Sequence, residues 1–152
     1  MQLIRFIVFA ACSACFANAQ VLAYCSLGTT PRAGVSVSVR VRLGFTMHGA
    51  YLLSDKCAGK APAAELLFPG YPGAPEVPFD LAKDALQRLG PFLRPAGGAS
   101  EACATISGEF VTKKGFRTYR VEGNLQGNGF GPQGALQFGF VLKSVDEIGG
   151  CK

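Results

Sequence analysis

The run Val35-Ser36-Val37-Ser38-Val39-Arg40-Val41-Arg42-Leu43 constrains the fold more than any other stretch of the chain. Apolar and polar residues alternate without a break over these nine positions. A period of two is the period of a β-strand, and β-branched residues suit its pleated surface. One face of the strand must meet a core and the other must meet water. The chain is therefore expected to be mainly β, with this strand at its centre.

Shorter strands are expected at 50–54, 64–68, 105–112, 116–125 and 136–145, the last with Leu136, Phe138, Phe140 and Leu142 on one face. Residues 20–34 read as an irregular lead-in, broken by Gly28, Pro31 and Gly34. Between 69 and 75 the chain reads PGYPGAP, which can only be loop. One helix is expected over 79–89, where Phe79, Ala82, Leu86 and Leu89 recur at helical spacing. Gly90-Pro91 stops it. Short strands with Gly/Pro turns point to a sandwich or small barrel. A single helix between strands 3 and 4 narrows this to an OB-like Greek-key barrel of five or six strands.

The first nineteen residues read as a leader. Arg5 precedes an apolar run from Phe6 to Phe16, and Ala17-Asn18-Ala19 precedes Gln20. This is the order of a secretory signal peptide. The run is about a dozen residues, short of the roughly 20 that span a bilayer as a helix. The expected organisation is a signal peptide at 1–19 and a single domain at 20–152, with a periplasmic or secreted destination and no transmembrane segment. An alternative cleavage before Cys12, after Phe9-Ala10-Ala11, would leave a lipid-anchored protein instead.

Six cysteines occur in the chain, and Cys12 and Cys15 fall in the leader. The remaining four, Cys25, Cys57, Cys103 and Cys151, predict two disulfides in an oxidising compartment. Three pairings are possible, of which Cys25–Cys151 with Cys57–Cys103 is preferred, because chain termini often lie close together. No CxxC occurs, so neither a zinc site nor a redox pair is expected, and no cofactor is implied.

The segment VRLGFTMHGAYLLSDKC, from Val41 to Cys57, resembles small uncharacterised exported bacterial proteins with an OB-like barrel. So do Gly123-Asn124-Leu125, the glycine-rich loop after them, and LQFGFVLKSVDEI. The resemblance covers about a third of the mature chain and implies the same barrel. It implies no activity.

The chemistry the residues could support is narrow. Formal net charge is +5 and falls to +4 once Arg5 leaves with the leader. Arg40 and Arg42 share the outer face of the first clear strand, while Lys113, Lys114, Arg117 and Arg120 cluster at a hairpin with Tyr119. Basic groups beside aromatics are how such barrels hold single-stranded nucleic acid or sugars. A solvated sheet face with charged edges is the simpler explanation of the same residues. His48 is the only histidine and lies near Asp55 and Cys57, but a Cys-His nucleophile needs a free thiolate. The string GFGPQG at 129–134 matches GxGxxG literally, but no helix comes after it, so a mobile hairpin loop is expected. No carboxylate pair, GxSxG or HExxH stands out. The expectation is a non-catalytic binding module for an envelope partner, a glycan or an anionic ligand. A hydrolase inhibitor acting through loop 69–78 or 127–134, and a small enzyme using His48 with Asp55, are the alternatives.

Overall fold

A computed structural model describes residues 20–70, 79–93, 99–114, 119–121, 124–127 and 129–151. The expected leader lies outside these residues, as does Arg117. The strands are β1 (Val21–Ala23), β2 (Ser36–Thr46), β3 (Gly49–Leu53), β4 (Ala64–Leu67), β5 (Ala99–Thr112), β6 (Tyr119–Val121), β7 (Asn124–Gly127) and β8 (Phe138–Gly149). A short helix, α1 (Ala85–Leu89), lies between β4 and β5.

Six strands form one mixed sheet in the order β1-β2-β3-β4-β8-β5, and β2 also pairs with β5. The hydrogen bonding of β2, β3, β4, β8 and β5 therefore closes into a ring. All pairings within the ring are antiparallel except β4 with β8. β6 and β7 make a separate two-stranded hairpin.

The alternation places side chains as expected from Val39 onward, but Val35 lies before β2 and is exposed, and Ser38 is buried. Val39, Val41, Leu43 and Phe45 point into the ring and are buried, while Arg40 and Thr46 are exposed. β5 does the same with the opposite parity, burying Ala102, Ala104, Ile106 and Phe110. β2 and β5 pair along eleven rungs, from Ser36↔Glu109 to Thr46↔Ala99. Gly108 lets β5 bend against β8, since a Cβ there would stand 2.2 Å from the Val141 carbonyl oxygen. Leu66, Phe140 and Leu142 complete the interior, and Ala85 and Leu89 of α1 pack against it, both fully buried.

Several expectations need correction. The lead-in is not wholly irregular: Val21–Ala23 pairs parallel with Ser38–Arg40 of β2. Three residues are too few for a period-two signal, and β2 supplies the ladder. The helix is five residues long rather than eleven, because the Ala82 N–H donates to the Lys143 carbonyl at 2.7 Å. That bond ties the chain before α1 to β8. The expected strand at 116–125 divides into β6 and β7, which pair with each other. In the ring itself α1 does fall between the third and fourth strands, β4 and β5.

The disulfide pairing is also corrected. Two bridges form, but they are Cys25–Cys57 and Cys103–Cys151, with Cα separations of 5.0 and 4.9 Å. β1 runs parallel to β2, so Cys25 is carried past Ala23, which sits opposite Arg40, towards the row of Arg42. The partner of Arg42 on that side is Leu53, at the end of β3, and Cys57 lies in the 3-10 turn just beyond. On the other side of β2, Cys103 stands opposite Gly149, two residues before Cys151. β1 thus lies on the β3 side of β2, whereas β8, which leads to Cys151, pairs with β4 and β5 and not with β2.

Candidate functional site

Residues of the outer face at Arg42 form a polar cluster. β2 presents Arg42 between Leu53 of β3 and Cys103 of β5. Asp55 comes two residues after the end of β3, and Glu101 precedes Cys103 by two on the same face of β5. Both carboxylates converge on the guanidinium. Arg42 Nη1 donates to both Asp55 oxygens at 3.0 Å, and Nη2 donates to Glu101 Oε2 at 2.5 Å. Charge-assisted bonds of this kind are among the stronger polar contacts a protein makes. The bonds Arg42 donates to Glu101 and then to Asp55 raise its pKa further, and the bond from Arg42 holds Asp55 below the usual carboxylate range. The cluster carries two negative charges and one positive.

The other cations of this face also meet acids. Arg40 stands 3.9 Å from Glu147 with both side chains about three-quarters exposed, a pair of little energetic weight. Lys143 Nζ donates to Glu109 at 3.1 Å and to Ser36 at 2.8 Å. Lys113 and Lys114 come just after the far end of β5. Lys113 is eight residues beyond Thr105, the partner of Arg40, or about 26 Å of strand at roughly 3.3 Å per residue. Tyr119 and Arg120 lie in β6, opposite Gly127 and Leu125. Along β5, then, Arg40 and Arg42 stand apart from Lys113 and Lys114.

Beside the Arg42 cluster runs a groove of about 470 Å³. Tyr51 and Leu53 of β3 and Ala63 form one wall, Pro132 and Leu136 the other, and Asp55 and Glu101 stand at its end. The second wall belongs to the glycine-rich loop. The segment folds back as the expected hairpin, with an antiparallel bridge between Phe130 and Leu136, and Phe130 is fully buried. Phe130, Leu67 and Val141 form a second apolar cluster outside the ring, with Phe79, Val111 and Leu136 packed against it. The Gly131 N–H donates to Glu65 Oε2 at 2.6 Å, and Glu65 is only 7% exposed. Two glycines make this fit possible. Gly131 adopts φ +71°, and at Gly139 a Cβ would come within 2.8 Å of the Phe130 ring. At Phe130 and Gly131 the loop therefore lies against the sheet. Most of the other candidate loop, 69–78, falls outside the described residues.

His48 occupies the exposed turn between β2 and β3. Its backbone N–H donates to Thr46 Oγ1 at 3.1 Å, and its carbonyl accepts from the Tyr51 hydroxyl at 3.2 Å. Of its two expected companions, Asp55 is held by Arg42, and Cys57 is bridged to Cys25 and offers no thiolate. Among the described residues no group of three or more His, Cys, Asp or Glu side chains is placed to hold a metal ion, and no helix is long and apolar enough to cross a membrane.

The groove residues Tyr51, Leu53, Glu101 and Pro132 were not singled out by the sequence, and Leu136, expected on one face with Phe140 and Leu142, instead precedes β8 and packs on the outer cluster. Only Phe130, a large apolar residue amid glycines, hinted that the loop is anchored. Comparison with known protein families, curated proteins and solved structures finds no match to this chain.

Proposed function

We propose that the mature chain is an exported, disulfide-bonded binding module on an OB-like Greek-key barrel, which takes a segment of an envelope protein in the groove beside Arg42. Support for the barrel comes from the ring. Numbered along the chain, its five strands take the order 1-2-3-5-4-1, with the third and fifth parallel and the helix between the third and fourth. In barrels of this kind the face of the second and third strands and the loop between the fourth and fifth carry the ligand. Here those are β3, β4 and the loop containing Phe130. Support for export comes from the leader pattern and from two disulfides, which persist in oxidising compartments.

The observation that carries the choice of partner is the groove itself. Its walls are largely apolar and its end holds an excess of one carboxylate over Arg42. Such a site favours an apolar segment with a basic residue over an anionic ligand. A photo-crosslinking residue placed at Tyr51 or Leu53 tests this, with Ser107 on the outer face of β5 as control. Discrete adducts with one envelope protein are expected from Tyr51 and Leu53 and not from Ser107. No adduct, or the same adducts from all three positions, would overturn the proposal.

A further inference from the structure

The expected cleavage point and the first strand are one residue apart. Cleavage after Ala19 leaves Gln20 as the new N-terminus, and β1 begins at Val21. Gln20 is exposed and stands outside the β1–β2 register, which starts at Val21↔Ser38. The residues directly after Gln20 hold the fold. Leu22 packs against the core, Tyr24 is 3% exposed with its hydroxyl on the Pro62 carbonyl, and Cys25 is bridged to Cys57. An aminopeptidase removing four residues would take the whole of β1. A free α-amine at position 20 is therefore a liability for this fold.

An N-terminal glutamine carries the means of removing that amine. Its α-nitrogen can attack its own side-chain amide carbon through a five-membered ring. The N–Cδ bond forms, the bond from Cδ to the amide nitrogen breaks, and that nitrogen takes a proton from the amine and leaves as ammonia. No oxidant or other reactant is needed. We propose that Gln20 is a modification site, and that the mature chain begins with pyroglutamate. The inference rests on the reading of residues 1–19 as a cleaved leader. The lactam removes the terminal positive charge. It also presents aminopeptidases with no free amine ahead of β1.

The test uses the full chain, exported with its own leader from a bacterial host. Intact mass and sequencing of the N-terminal peptide are read at harvest. A heavy-labelled synthetic peptide with the same free glutamine terminus is added to measure cyclisation during handling. A chain starting at residue 20 and about 17 Da light, the mass of one ammonia, is the expected result. Conversion should exceed that of the added peptide. A chain starting at Gln20 with a free amine, or converted no further than the peptide, would overturn this proposal and leave the leader reading standing. A chain starting at Met1 or at a lipidated Cys12 would overturn both. Exposure to an aminopeptidase gives a second readout. The Gln20→Ala chain should be shortened at its N-terminus while the wild type is not, and equal shortening of both would count against the proposal.

Discussion

Replacing Phe130 with alanine should detach the loop that walls the groove, and the size of the effect is set by where the ring sits. Phe130 is fully buried, yet it lies outside the ring, in a cluster with Leu67 and Val141 as its other buried members. Burial of such a side chain stabilises by about 1.5–3 kcal/mol relative to exposure. A rigid core would add the cost of the cavity and bring the loss to about 3–5 kcal/mol. One side of this cluster is a loop that can settle into the space, so a loss of about 3 kcal/mol is expected, at the lower end of that range. Urea unfolding under oxidising conditions measures it, through a lower midpoint with an unchanged slope. Met47→Ala, at an 82% exposed turn position, is the control and should stay within about 0.5 kcal/mol. A loss below about 1 kcal/mol for Phe130→Ala would show that the loop is not anchored through this ring. The groove would then lack a fixed second wall.

Non-reducing peptide mapping should recover Cys25 linked to Cys57 and Cys103 linked to Cys151. Any Cys25–Cys151 peptide would contradict the parallel register of β1 on β2. With sequence separations of 32 and 48, the chain-entropy relation gives about 3.7 and about 4.1 kcal/mol for the two bridges. Replacing either pair with serines should therefore lower stability by comparable amounts, and a loss confined to one pair would refute that. Acid should weaken the fold in a defined direction. Asp55 and Asp84 are held below the usual range, chiefly by hydrogen bonds from Arg42 and Arg88. Their stabilisation is present above the unfolded carboxyl value of about 3.9 and is lost as pH falls through the lower folded values. The urea midpoint should fall below about pH 4, and less steeply in an Asp55→Asn, Asp84→Asn double variant; parallel curves would refute the assignment.

The sequence by itself determined the pattern that makes the chain mainly β. Alternation over most of 35–43 reads onto β2, because side-chain direction along a strand is a local property of the backbone, although Val35 falls before the strand and Ser38 is buried. The Gly90-Pro91 stop and the even number of cysteines outside the leader could be read for the same reason: each depends on a residue's own chemistry. Tertiary structure decided everything that depends on which strands are neighbours. Cys25 finds Cys57 only because β1 runs parallel to β2 on the side of β3, and no spacing encodes that. Arg42 appeared as one of six basic residues in the sequence that could serve an anionic ligand. Its charge is matched because Asp55 and Glu101, thirteen residues ahead and fifty-nine ahead, are brought to it by two separate registers. The glycine-rich segment appeared mobile because glycine removes local constraint. It is held by burial of Phe130 and by the carboxylate of Glu65, sixty-six residues before Gly131. Contacts between residues this far apart leave no periodic trace in a single chain, so the groove they enclose could be recognised only once the ring had closed.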